Sequence, residues 1–143
     1  MNYLILISHG ELSQGVHSAL KMMCGEHPEV LSTSLLDGED VPVFKSKFEK
    51  LLEPINFDTD NLVLCADIQG GSPFTTAVDV LNNLNALDKC VIFAGLNLPM
   101  AVTACIMKDN LSKEMLVTTV LDEAKTAVSH FTVEEEVEEE EDF

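Results

Sequence analysis

The chain has 143 residues, a length that suits one domain built around an unbroken core. Its formal net charge is −17 at pH 7, and all eight basic residues are lysines, so the sequence contains no arginine. Nucleic-acid binding is disfavoured on that ground, because neutralising phosphates needs a basic face this sequence does not assemble.

The acidity is uneven, since residues 133–142 hold eight of the 25 acids. Cys24, Cys65, Cys90 and Cys105 never form a Cys-x-x-Cys pair, so neither a zinc site nor a disulfide framework is suggested, and they read as reduced core residues. The opening MNYLILISHGEL carries no basic leader and no small-residue cleavage pattern, and no apolar run approaches about eighteen residues. A soluble, cytoplasmic protein without direct membrane insertion is expected.

In chain order, residues 3–7 form a short continuous apolar run that reads as a strand buried on both faces. Leu12, Val16, Ala19, Leu20 and Met23 then recur at helical spacing up to Gly25. Residues 30–36 give a weaker second strand. Residues 40–52 give a helix with Phe44, Phe48, Leu51 and Leu52 on one face, and 61–66 a third strand. Gly70-Gly71-Ser72-Pro73 supplies a turn, with Ser72 as candidate N-cap and Pro73 at the first helical position. That helix runs to about Asn85 with Phe74, Ala77, Val78 and Leu81 inward. Residues 90–94 form a fourth strand, and a helix follows around 100–107. A last helix spans 111–130 with Val117, Val120, Leu121, Ala124 and Val128 facing the core.

This alternation predicts an α/β, doubly wound sandwich with a four-stranded parallel sheet in the order 2-1-3-4. Residues 131–133 are expected to add a C-terminal edge strand. The domain is assigned to residues 1–133, and 134–143 to an acidic, solvated tail too charged to fold by itself.

Ligands bind such sheets outside the carboxyl ends of the strands, where strand order reverses. Ser8-His9-Gly10 follows the first strand and Asp67-Ile68-Gln69-Gly70-Gly71-Ser72 the third, so the topology brings His9 and Asp67 together. A loop histidine alone is more often an ordinary polar residue. Paired with a carboxylate, it has one ring nitrogen fixed as donor and the other left as a directed nucleophile. Glycine amides and a helix start hold anionic oxygens without arginine, so Gly10, Gly70, Gly71 and Ser72 are the expected phosphate-binding residues. The expected chemistry is phosphoryl transfer through His9 and Asp67. Nothing calls for a metal or an organic cofactor. His17, His27 and His130, the last at the end of the final helix, lack such a setting.

The segments LILISHGELSQGVHSAL (4–20), ADIQGGSPFTTA (66–77) and GLNLPM (95–100) resemble the IIA component of the mannose-type bacterial sugar phosphotransferase system. The resemblance implies that His9 accepts a phosphoryl group from the phosphocarrier protein HPr, on Nε2. It implies onward transfer to a IIB component, and through that component a partnership with the membrane IIC and IID components. It also implies that Asp67 orients the imidazole, and that the chain forms a homodimer by exchanging a C-terminal strand matching residues 131–133.

Three rival readings stand beside this one. A IIA-like phosphodonor subunit for dihydroxyacetone kinase would share the fold and the histidine, although GLNLPM and DIQGGSPF lean toward sugar transport. A regulatory module that senses phosphorylation is a second. A flavodoxin-like flavin binder is a third, and it is opposed by the single tyrosine and the absence of tryptophan and of GxGxxG.

Overall fold

A computed structural model describes residues 1–133. Four strands, β1 (Asn2–His9), β2 (Val30–Leu35), β3 (Asn61–Ala66) and β4 (Cys90–Ala94), alternate with helices α1 (Leu12–Cys24), α2 (Val41–Leu52) and α3 (Ser72–Asn83). Helices α4 (Leu98–Met107) and α5 (Lys113–Thr126) complete the domain, with one 3₁₀ turn at Leu87–Lys89. Every strand pairing is parallel and the sheet order is β2-β1-β3-β4, as the alternation predicts.

The period-2 alternation of β1 divides the core into two layers. Leu4 and Leu6 pack with Leu20, Met100, Ala104, Leu116 and Val120 on the side of α1, α4 and α5. Ile5 and Ile7 pack with Phe44, Phe48, Ala77 and Leu81 under α2 and α3. All four β1 side chains are fully buried, which is why this strand reads as a continuous apolar run.

Several local expectations are corrected. Helix α3 begins at Ser72 itself, with Gly71 as N-cap and no side-chain cap. Its buried positions include Val80, while Val78 is only half-buried. It ends at Asn83, and Asn85 then takes a left-handed φ of 54° to turn the chain. Helix α5 is shorter than its apolar pattern suggested. Ser112 caps it by accepting from Met115 N–H, and it stops at Thr126, leaving Val128 exposed and His130 beyond the helix. Its buried positions are Leu116, Val120 and Ala124.

Residues 131–133 do not join the sheet, so the expected edge strand is absent from it. Phe131 and Val133 are exposed and the segment has no ladder partner among the described residues, and three residues gain too few hydrogen bonds to offset their ordering cost. The acidic stretch 134–143 lies outside the described residues. Among those described, no helix is long and apolar enough to cross a membrane.

Candidate active site

His9 is the last residue of β1 and lies on the Ile5–Ile7 face, the side covered by α2 and α3. The β1–β3 register pairs Ile7 with Ala66, so Asp67 leaves β3 beside the end of β1. Two further backbone bonds hold that corner: Gly95 N–H donates to the Asp67 carbonyl (3.0 Å) and Leu96 N–H to the Ala66 carbonyl (3.0 Å).

Asp67 Oδ2 lies 2.8 Å from His9 Nδ1 and accepts the His9 backbone N–H at 3.0 Å. One oxygen thus fixes both the ring and the main chain of the same residue. With a carboxylate facing Nδ1, that nitrogen is the donor, and Nε2 keeps its lone pair. Burial acts to raise the Asp67 carboxyl, but hydrogen bonds from the His9 backbone and ring outweigh it and hold the group below its ordinary value. Asp67 is therefore an anion at neutral pH. Its side chain is 11% exposed against 46% for His9, so the orienting group is covered and the nucleophile is open.

Gly71 closes the other side of the ring. A Cβ built there would sit 2.7 Å from His9 Cε1 and 3.4 Å from Nε2, a space only glycine leaves free. Gly70 adopts a φ of 84°, which turns the chain into α3 and brings Gly71 to the ring. The N–H groups of Gly70, Gly71 and Ser72 donate to no other group among the described residues. The positive end of α3 thus lies against Nε2 with amides unspent.

Gly10 departs from expectation. Its N–H donates to the Leu35 carbonyl at 2.8 Å, extending the β1–β2 ladder, and its φ of 56° serves the turn into α1. It shapes the loop and has no free amide to offer an anion.

Sequence reasoning missed a buried polar network on the opposite face. Ser8, Ser13 and Ser34 are fully buried. Ser8 Oγ accepts the Ser13 N–H at 2.8 Å and donates to Ser13 Oγ at 3.0 Å, Ser13 Oγ donates to the Thr33 carbonyl at 2.8 Å, and Gln14 Nε2 donates to Ser34 Oγ at 2.7 Å. The available signal was a serine inside an apolar strand followed five residues later by one in a helical first turn.

The other histidines stand apart. His17 Nδ1 faces Ser32 Oγ at 2.7 Å, and burial lowers its pKa. His27 lies near Glu29 and the Cys24 carbonyl. Cys65, Cys90 and Cys105 are buried and Cys24 half-buried, all as free thiols. Burial pushes Cys65 up to about 12. No group of three or more histidine, cysteine or acidic side chains among the described residues is placed to hold a metal ion.

The model of the EIIA-man family, described as PTS system fructose IIA component, matches residues 3–121. The chain is 24% identical over 114 residues to the PTS system sorbose-specific EIIA component of Lacticaseibacillus casei, covering 80% of this chain and 79% of that one. Two solved structures share the fold. The phosphotransferase system component EIIA from Streptococcus agalactiae has a TM-score of 0.79 at 20% identity, covering 92% of this chain and 98% of that one. The mannose/sorbose specific IIA subunit from Enterococcus faecalis has a TM-score of 0.78 at 22% identity, covering 92% and 96%. The chain belongs to the EIIA-man family of sugar phosphotransferase system IIA components.

Proposed function

We propose that the protein is a phosphocarrier that takes a phosphoryl group from phospho-HPr onto His9 Nε2 and passes it to a IIB component, which links it to the membrane IIC and IID components. The observation that carries this reading is the 2.8 Å contact between His9 Nδ1 and Asp67 Oδ2, which leaves Nε2 as an exposed, directed lone pair beside the start of α3. In the forward step the Nε2 lone pair forms the new N–P bond as the N–P bond to the donor's histidine breaks, and the electron pair of that bond returns to the donor. The imidazole of His9 gains positive character as it does so, and the Asp67 carboxylate behind Nδ1 stabilises it. The amides of Gly70, Gly71 and Ser72 are suited to receive the phosphoryl oxygens, which compensates for the lack of arginine. Transfer to IIB is the same step reversed, with His9 as leaving group.

The L. casei relative is named as sorbose-specific, which supports a sugar-transport role over a dihydroxyacetone kinase partner. Incubation with phospho-HPr followed by mass and phosphorus NMR spectroscopy should place one phosphoryl group on His9, and His9→Ala should take none. Labelling of another histidine in His9→Ala would sink the assignment.

The same reading includes a homodimer. Among the described residues the outer edge of β4 has no strand partner, and a groove of about 390 Å³ runs along it, lined by Val91, Ile92, Phe93, Val117 and Leu121. A copy's residues 131–133, whose Phe131 and Val133 are exposed, have the apolar alternation to add a strand there. Equilibrium sedimentation should give a dimer for the full chain and a monomer for a chain ending at Ala127. A full chain that sediments as a monomer overturns the dimer alone.

A further inference from the structure

We infer that Ser13, acting through Ser8, is a positioning residue for His9 in phosphoryl transfer. The inference rests on the phosphocarrier reading above. Ser8 and His9 are adjacent on β1 and point to opposite faces, Ser8 under α1 and His9 toward α3. The β1–β2 ladder, which continues to Gly10, holds the edge of this strand end, and side chains hold its two faces. Asp67 holds the His9 face through Oδ2. The Ser8–Ser13 pair holds the other.

That hold is made of bonds around one fully buried side chain, whose hydroxyl also lies 3.1 Å from Gln14 Oε1. Ser13 N–H donates to Ser8 Oγ (2.8 Å), Ser13 Oγ accepts from Ser8 Oγ (3.0 Å), and Ser13 Oγ donates to the Thr33 carbonyl of β2 (2.8 Å). The first of them also caps α1. Glu11, the residue at the N-cap position, makes no side-chain cap bond, and Ser8 on the strand supplies the missing acceptor instead. Strand end, helix start and neighbouring strand are therefore locked to one another, with the loop Gly10-Glu11 strung between.

The lock matters for chemistry because the gap at His9 is narrow. Gly71 approaches the ring so closely that even a methyl group would collide with Cε1. A small rotation of the β1 end would move Nε2 relative to the α3 amides while leaving the Asp67 carboxylate in place. Displacements of about 1 Å at a reacting centre cost up to two orders of magnitude in rate.

Ser13→Ala removes the hydroxyl from the lock at almost constant volume. Three measurements are compared with wild type: the maximal rate and KM for phosphoryl uptake from phospho-HPr, the ¹⁵N and ¹H resonances of the unphosphorylated His9 ring, and the thermal midpoint. The expected result is a maximal rate lowered roughly fivefold or more, KM within about twofold, and a shifted or broadened His9 ring signal. A smaller fall, a loss carried by KM, or an unchanged His9 signal overturns the proposal, whatever the thermal midpoint does. If Ser13→Ala does not fold, Ser8→Ala is judged by the same criteria. Wild-type protein that takes no phosphoryl group on His9 refutes the phosphocarrier reading instead, and the unphosphorylated ring spectra still report on positioning.

Discussion

Asp67 illustrates how one side chain's ionisation sets another's chemistry. Its oxygen holds His9 Nδ1 at 2.8 Å, and it stays charged because the hydrogen bonds it receives outweigh its burial. Asp67→Asn is nearly isosteric, and because the same position must accept the His9 backbone N–H, its carbonyl oxygen takes the place of Oδ2 facing Nδ1. The orientation of the ring is thus kept, but no anion remains to stabilise it as phosphorus arrives. Phosphoryl uptake should fall by roughly 10²- to 10⁴-fold with the fold intact. Stopped-flow uptake beside circular dichroism checks this, and a loss below tenfold would mean that the carboxylate's charge contributes little. That His9 and Asp67 meet is legible in the sequence because one ends a recognisable strand and the other follows one. That Ser8 and Ser13 meet is not, because a buried serine leaves no periodic trace until its partner across the fold is known. Gly10 misled for a related reason: a glycine beside a candidate nucleophile suggests a free amide, and only the β1–β2 register reveals that Leu35 already holds it.

At the scale of elements, β2 to β4 and the helices α1 and α2 are legible in the sequence, whereas the ends of α3 and α5 are not. Strand bounds follow from apolar runs, whereas helix ends follow from caps that depend on tertiary neighbours. The start of α3 is the instructive case. Ser72-Pro73 suggested a serine cap, but Gly71 holds that position because anything larger strikes the His9 ring. Its backbone, at φ −75° and ψ 165°, is open to any residue, so the demand for glycine comes from the ring and not from the turn. Gly71→Ala should therefore leave the helix and the unfolding midpoint nearly unchanged, while the displaced ring lowers uptake by about tenfold or more. Equal losses of stability and activity would place the need for glycine in the backbone. The far end of α5 makes the complementary point. Asn97 caps α4 by accepting from Met100 N–H (2.9 Å) and donates to the Ala124 carbonyl (3.0 Å), tying the last turn of α5 to the start of α4. The apolar pattern continuing to Val128 could not reveal where that tie ends the helix.

At the scale of the molecule, the two ends of the sheet have divided roles. The carboxyl end carries an exposed nucleophile and unspent amides. The amino end is closed by an ion cluster around a buried lysine, in which Lys108 Nζ, 1% exposed, meets Glu29 Oε2 at 2.8 Å and the more exposed Asp109 Oδ2 at 3.1 Å. Burial acts to lower Lys108 and to raise Glu29, but their mutual hydrogen bonds win on both sides, leaving Lys108 above its ordinary value and Glu29 below. The signs fix the pH window. Glu29's contribution is present above its unfolded value of 4.5 and is lost as pH falls through the lower folded value. Lys108's is present below 10.5 and is lost as pH rises through the higher folded value. Stability from the cluster is thus flat through neutrality. Lys108→Met fills the same space without charge and strands Glu29 beside His27 and Asp109. It should cost about 3 kcal/mol at pH 7, and the gap to wild type should narrow toward about pH 3 as the carboxyls take protons. Urea unfolding of both proteins at the two pH values measures it. A gap that stays constant would assign the loss to packing of the lysine stem, and uptake at His9 should be unaffected either way, since the cluster sits at the opposite end of β1.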